Sequence, residues 1–141
     1  MEINEEDLSK RLLEIEYIRR ELENYVNAIN ALQMTQESLT KSLIGLTNLK
    51  CKDNEVMIPY SPEIFLNGTL TDTNNALVNI GSDIFKSMSL SQLKIKLEKD
   101  LNEVQSNIEQ IAQVVQKLQE EGSRLEKEAN KMYEEYKTGQ K

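Results

Sequence analysis

The chain has 141 residues, of which 24 are acidic and 17 basic, so its net charge at neutral pH is −7. An acidic chain without a basic stripe does not displace counterions from phosphates, which excludes nucleic-acid binding. Its apolar fraction of 38% is below that of a typical globular domain, so we do not expect a large compact core.

The first predicted element is a long helix, which we assign to residues 1–50. Asn4 can cap its start, and the acidic residues that follow suit the positive end of the helix dipole. Mostly apolar residues then recur with spacings of three and four, a period typical of a coiled coil. They are Leu8, Arg11, Ile15, Ile18, Leu22, Tyr25, Ile29, Leu32, Gln36, Leu39, Leu43 and Leu46.

Residues 51–88 change period and predict two β-hairpins. The four predicted strands are Glu55–Tyr60, Ile64–Leu70, Ala76–Ile80 and Ile84–Met88. Asn67 and Gly68 could instead form a tight turn of their own, so the assignment of the second strand stays open.

Cys51 is the single cysteine of the chain and has no second cysteine or histidine nearby. We therefore interpret it as a small residue at a helix end.

The second predicted helix covers residues 89–141. Ser89 and Gln92 have the spacing of a capping box, which marks its start. In each helix, the residues that recur with spacings of three and four form the seam that faces a partner helix. The seam of the second helix comprises Leu90, Lys94, Leu97, Leu101, Val104, Ile108, Ile111, Val115, Leu118, Gly122, Leu125, Ala129, Met132 and Tyr136. The same heptad period therefore appears on both sides of the hairpins.

The two seams are expected to pair with each other, because each is too narrow to be stable alone. The predicted fold is α+β: a long antiparallel coiled-coil hairpin with two short β-hairpins between its helices. A parallel homodimer is the alternative. Two antiparallel registers fit. In one of them Arg11 faces Gly122. In the other, Ile18 faces Gly122 and Arg11 faces Ala129. Because these layers fill the seam poorly, we expect it to loosen toward the free ends.

Four short strands are not stable in water without a partner, so we expect the hairpins to pair with other subunits. The alternative is a monomer in which the helix bases cover the strands. The residues predicted for oligomerisation are Val56, Ile58, Ile64, Leu66, Val78, Ile80, Ile84 and Phe85.

The order of helix, paired hairpins and helix resembles prefoldin, and specifically its alpha class, which has two hairpins. The matching segments are Val56–Pro59, Leu66–Leu70, Val78–Gly81 and Ile84–Lys86. The resemblance implies a hexamer of two alpha and four beta-class subunits, with a β-barrel body and hanging coiled-coil arms. It also implies that the arms hold non-native proteins at their tips and deliver them to a group II chaperonin without ATP.

A holdase of this kind would bind apolar client segments weakly through several arms at once. The residues predicted to contact clients at the tips are Leu8, Leu12, Leu125, Met132, Tyr133 and Tyr136. The alternative is a structural tether or scaffold, whose coils bind a dedicated helical partner and whose hairpins only multimerise it.

Catalysis is not expected. The chain has no histidine, its five glycines form no phosphate-binding loop, and its carboxylates fall on predicted solvated helix faces. We therefore predict no catalytic residue, no cofactor and no metal site. No apolar run is long enough to span a bilayer, and the acidic N-terminus lacks the features of a signal peptide, so we expect a cytoplasmic protein without membrane partners.

Overall fold

A computed structural model describes residues 4–49 and 54–139. Its elements are α1 (Glu5–Asn48), β1 (Glu55–Ser61), β2 (Ile64–Thr69), β3 (Asn75–Asn79), β4 (Phe85–Ser89) and α2 (Leu90–Gly139). Two long helices with two small antiparallel hairpins between them confirm the predicted fold class. Cys51 lies outside the described residues. Within those residues, neither helix contains a stretch long and apolar enough to cross a membrane.

The described residues form two compact units. We call residues 4–34 and 105–139 the terminal unit, and residues 35–104 the central unit. The terminal unit contains only helical segments beyond the cap at Asn4, whereas the central unit contains both hairpins.

Both helices begin at the caps predicted from sequence. The side-chain oxygen of Asn4 accepts a hydrogen bond from the backbone N–H of Asp7 at 2.8 Å. Ser89 Oγ accepts from the backbone N–H of Gln92 at 3.2 Å, and the Ser89 N–H donates to the Gln92 side chain at 3.4 Å. These bonds satisfy N–H groups that have no partner within the helix.

The terminal unit holds all the buried hydrophobic residues of the described chain, and they form one cluster. The cluster consists of Ile15, Ile18, Leu125 and Ala129, with Leu22 and Leu118 packed against it. Of the two registers, the structure adopts the one in which Ile18 faces Gly122. A β-carbon built on Gly122 would lie only 3.3 Å from Ile18 Cγ2.

The expected loosening of this part of the seam is wrong. Ala129 is 6% exposed, and Gly122 accommodates the side chain of Ile18. Small residues therefore permit close packing where we expected gaps. Arg11 contacts Glu14 on its own helix at 2.7 Å and Glu128 on α2 at 3.4 Å, so its charge is paired while its side chain stays partly exposed.

In the first hairpin, β1 pairs antiparallel with β2. Val56 lies opposite Gly68 and Ile58 opposite Leu66, and the register shifts between Pro59 and Ser61. Gly68 is thus within a strand, which excludes the alternative turn. A β-carbon on Gly68 would lie 2.9 Å from Ile58 Cδ1, so the glycine leaves room for that side chain.

In the second hairpin, β3 pairs antiparallel with β4, and Val78 lies opposite Lys86. Ile80 and Ile84 fall just outside the strand bounds, but the Ile80 N–H donates to the Ile84 carbonyl at 2.9 Å. Between them, Gly81, Ser82 and Asp83 have φ values of 124°, 50° and 58°. This left-handed backbone closes the turn that the sequence predicted.

The connection before β3 is organised by Asp72. Its carboxylate accepts hydrogen bonds from the backbone N–H groups of Asn74 at 2.9 Å and Asn75 at 3.1 Å, and from the Asn75 side chain at 3.2 Å. The bond from the Asn74 backbone, followed by those from Asn75, lowers the pKa of Asp72 below its ordinary value of 3.8. The ionised carboxylate therefore favours this conformation.

Candidate functional site

The hairpins of the central unit expose an unusual amount of apolar side chain. The residues concerned are Met57, Ile58, Tyr60, Ile64, Phe65, Leu66, Leu77, Ile80, Ile84 and Phe85. We call this set the hairpin surface. Exposed apolar groups at this density, within segments that have little core of their own, are typical of a surface that contacts another protein.

Apolar side chains occupy both faces of the first hairpin. The register places Ile58 and Leu66 on one face, with Met57 and Phe65 on the other. All four are about half exposed or more. The hairpin can therefore be covered from two sides.

The eight residues predicted for oligomerisation all lie in or beside the hairpins. Six of them are exposed, whereas Val56 and Val78 are half-buried. The exposed apolar residues Met57, Tyr60, Phe65 and Leu77 were not among the eight. The sequence signal for them was that bulky apolar residues also occur next to the predicted ones along the strands, as Met57 does between Val56 and Ile58.

The residues predicted for client binding all lie in the terminal unit, but their exposure differs. Leu12 is 54% exposed and Tyr133 53%, while Leu8, Met132 and Tyr136 are half-buried. Leu125 is only 3% exposed and belongs to the buried cluster, because it packs in the antiparallel seam. The folded coil does not present Leu125 at its surface.

Leu13 and Tyr17 are two of the exposed apolar residues of α1 that were not predicted as contacts. Leu13 is 62% exposed and Tyr17 is 65% exposed. They are four residues apart, so they lie on the same face of the helix. Both lie outside the heptad seam. A large apolar residue at a position that does not face the partner helix was the sequence signal that could have identified each of them.

Leu13 and Tyr17 border a groove of about 550 Å³ in the terminal unit, which we call the flank groove. Its other apolar lining residues are Ile18, Leu118 and Leu125. Its charged lining residues are Arg11, Glu14, Glu121 and Arg124. A volume of this size accommodates several apolar side chains.

The metal-ligating side chains of the described residues are not clustered. No group of three or more cysteine, aspartate or glutamate residues within 4–49 and 54–139 is arranged to hold a metal ion. The ion pairs join exposed or partly exposed side chains, as between Lys10 and Glu6 or between Lys41 and Glu37. These pairs belong to solvated helix faces.

The family is decided by a match along most of the chain. The model of the prefoldin family, described as prefoldin subunit, matches residues 18–135. The chain belongs to the prefoldin family. Prefoldins are chaperones that assemble from several subunits, so this membership supports a chaperone-type role and fits a protein that is not an enzyme.

Individual prefoldins agree with this assignment. The chain is 25% identical to a prefoldin subunit alpha from Pyrococcus horikoshii over 103 residues, which cover 71% of this chain and 70% of the relative. It is 19% identical to a prefoldin subunit alpha from Methanococcus aeolicus over 123 residues, covering 82% and 85%. Both relatives support an alpha-type prefoldin subunit.

The fold also matches a solved prefoldin. A cryo-electron microscopy structure of a filamentous PFD from Methanocaldococcus jannaschii superimposes with a TM-score of 0.69 at 17% sequence identity. The match covers 79% of this chain and 93% of that chain. The helix, two hairpins and helix are thus the prefoldin fold.

Proposed function

We propose that the chain is the alpha-class subunit of an ATP-independent holdase, which captures non-native proteins and hands them to a group II chaperonin. The observation that carries the proposal is the exposure of two apolar surfaces on one prefoldin chain: the hairpin surface in the central unit, and separate apolar residues in the terminal unit. One surface serves assembly and the other serves capture.

Assembly is assigned to the hairpin surface. Two isolated two-stranded hairpins with exposed Phe65 and Leu77 bury little apolar area within the chain, so contact with other subunits is needed to remove that area from water. The partners we propose are beta-class subunits, in a hexamer of two alpha and four beta chains. The hairpins would then form its β-barrel body.

Capture is assigned to exposed residues near the ends of the helices. Leu12 and Tyr133 offer the most accessible apolar groups among the predicted contacts. Met132 and Tyr136, which are close to Tyr133 in sequence, are half-buried. A methionine adapts to varied partners, and a tyrosine combines an apolar ring with a polar tip. Each contact is weak, and several arms acting together raise the avidity by about 10² to 10⁴.

The test uses the full chain reconstituted with beta-class subunits. Guanidine-denatured citrate synthase is diluted into buffer with the complex, and its aggregation is followed by light scattering. The variant Leu12→Ser/Tyr133→Ser should suppress aggregation less well than the parent complex. Met34→Ser is the matched control, because Met34 is 73% exposed on the same helix as Leu12 but is not a predicted contact.

Two results would contradict the proposal. If the parent complex left the aggregation unchanged and ignored denatured proteins as it ignores native ones, the tether or scaffold would be the better account. If the complex protected but the double variant protected equally well, capture would have been assigned to the wrong residues.

A further inference from the structure

We infer that the base of the coiled coil selects a neighbouring subunit of a different kind. A groove between the end of α1 and the start of α2 receives an apolar side chain from a helix of that subunit, and Lys94 pairs with a carboxylate on the same helix. This inference rests on the proposed function and specifies the partner in its assembly step. It assigns this contact to the helices rather than to the hairpin surface.

The groove lies within the central unit, and we call it the base groove. Its volume is about 130 Å³, and its lining residues are Leu46, Thr47, Leu90, Ser91 and Lys94. Sites for small molecules have volumes of roughly 300–1,000 Å³, so this groove fits a single apolar side chain better. Leu46 and Leu90 are half-buried, which leaves part of their apolar surface open to a partner.

Two exposed isoleucines extend the apolar surface beside the base groove. Ile44 is 57% exposed and lies three residues before Thr47, while Ile95 is 67% exposed and lies four residues after Ser91. Residues three or four apart share one face of a helix, so both isoleucines lie next to the walls of the groove. A partner helix seated on the groove would cover both of them.

The charge of this region is opposite to that of the whole chain. Residues 38–49 and 84–97 contain no acidic residue, although the chain has 24 of them and a net charge of −7. The same two ranges contain Lys41, Lys86, Lys94 and Lys96. Lys41 pairs with Glu37 at 3.1 Å and Lys96 with Asp100 at 2.7 Å, so both use acidic partners outside these ranges.

Lys94 is left without such a partner. It takes part in none of the ion pairs within residues 4–49 and 54–139. It is also the single lysine among the seam positions of α2. A lysine in a seam specifies a partner at a cost in stability, because it gives up the apolar contact that a leucine would make. A carboxylate from another subunit would offset its charge.

The position of the base groove identifies the occupant as a subunit of the assembly. Leu90 lines the groove and directly follows Ser89, the last residue of β4. The groove is therefore continuous with the hairpins, to which we assigned the contact between subunits. Because prefoldin helices begin at the hairpins, a subunit that covers the hairpin surface would bring its own helix base beside the groove.

The charges exclude a second copy of this chain from the base groove. In a symmetric contact the same patch of both copies meets itself, so Lys94 would face lysines and no carboxylate. Like charges opposed across an interface reduce affinity. The occupant is therefore a helix of a beta-class subunit that has an apolar residue and an acidic residue about one turn apart.

The experiment titrates a fluorescently labelled beta-class subunit with the full chain and follows binding by anisotropy. Lys94→Glu should weaken binding about tenfold, because it replaces an ion pair by a repulsion. Lys94→Arg retains the charge and should bind like the parent. Lys99→Glu is the matched control, since Lys99 is also exposed on α2 but does not line the groove. Added salt should weaken the binding of the parent more than that of Lys94→Met.

The apolar part of the site is tested with Ile44→Ser/Ile95→Ser. This variant should also bind the beta-class subunit about tenfold more weakly, the size of effect expected for removing principal contacts. Met34→Ser, which removes a residue that is 73% exposed on α1, should bind like the parent. Circular dichroism verifies that each variant is helical. Normal binding by a folded Lys94→Glu variant would overturn the inference.

Carbodiimide cross-linking of the assembled complex identifies the occupant, because it joins a lysine amine to a carboxylate in contact with it. Mass spectrometry should find Lys94 joined to an acidic residue of a beta-class subunit. A link from Lys94 to a second copy of this chain, or only to denatured citrate synthase, would contradict the inference. So would the absence of any link at Lys94 in a complex whose other lysines react.

The inference and the proposed function can fail separately. If the parent assembles and protects denatured citrate synthase while Lys94→Glu binds the beta-class subunit normally, only the assignment of the base groove is wrong. If the parent neither binds a beta-class subunit nor protects the denatured protein, both are wrong.

Discussion

The side chain of Ile18 packs against Gly122, at a distance that leaves little space for a larger residue. A β-carbon at position 122 would lie 3.3 Å from Ile18 Cγ2, and Ile18 itself is 6% exposed. This contact distinguishes the register that the terminal unit adopts from the one in which Arg11 would face Gly122. It also explains why a residue with poor helix propensity is acceptable in the middle of α2.

The first prediction concerns this contact. Gly122→Leu should lower the free energy of unfolding by about 1–3 kcal/mol, because the added side chain overpacks the cluster around Ile18. Gly45→Leu is the control. Nothing lies within 4 Å of a β-carbon at Gly45, so the better helix propensity of leucine should raise stability by up to about 1 kcal/mol. Urea denaturation measures both, and equal effects would contradict the packing explanation.

The second prediction concerns Glu128, which joins two arginines. It contacts Arg124 at 2.7 Å on the same helix and Arg11 at 3.4 Å on the other. Glu128→Gln should lower stability by about 0.5–1 kcal/mol at low salt, and by less at high salt, because these partly exposed pairs are screened. Glu6→Gln removes an exposed pair within one helix and should have a smaller effect. A loss independent of salt would point to packing.

The third prediction is a pH dependence at Asp72. Its lowered pKa means that the folded chain favours the ionised carboxylate, so its contribution is complete above 3.8 and disappears as the pH falls through the folded value. The carboxyl should titrate below 3.8 by NMR. Asp72→Ala should be less stable than the parent at pH 7, and the two should converge at lower pH. Glu63→Ala, in the turn between β1 and β2, controls for the removal of a surface carboxylate.

The fourth prediction separates assembly from folding. Leu77 is 73% exposed, so Leu77→Ser removes little burial within the chain but should shift native mass spectra from the full complex to smaller species. The helices should be unchanged by circular dichroism. Met34→Ser, equally exposed on α1, should assemble normally. If both variants assembled alike, the hairpin surface would not be the subunit contact.

The local features of this fold follow from sequence because they depend on neighbouring residues. The cap at Asn4, the capping box at Ser89 and the turn around Gly81 each depend on interactions over a few positions. The two hairpins are predicted for the same reason. Their strand ends differ by at most one residue from the predicted bounds.

The packing of the seam could not be predicted in the same way. A heptad pattern identifies which residues face a partner helix, but adjacent registers preserve the same pattern and differ only in side-chain fit. The sequence therefore left Gly122 opposite either Arg11 or Ile18. It also suggested a gap where Ile18 in fact fills the available space.

The candidate sites were partly visible in the sequence. The hairpin residues were recognised from their apolar strands, although exposure on both faces needed the register of β1 and β2. Leu13 and Tyr17 were not predicted because a heptad pattern identifies only the residues that face the partner helix. Both residues border a groove whose other lining residues are far away in sequence, and no local sequence pattern describes such a groove.

Ser89 ends β4 and also caps α2, so strand and helix meet without a connecting residue. Because no loop residue separates β4 from α2, no flexible linker lies between them that could rotate under a twisting force. Tension on the first turn of α2 would pass directly into the bond between the Leu90 N–H and the Asn74 carbonyl, 2.9 Å apart, and into the ladder behind it. A bend at this junction would therefore have to break hydrogen bonds that hold the helix start to the second hairpin.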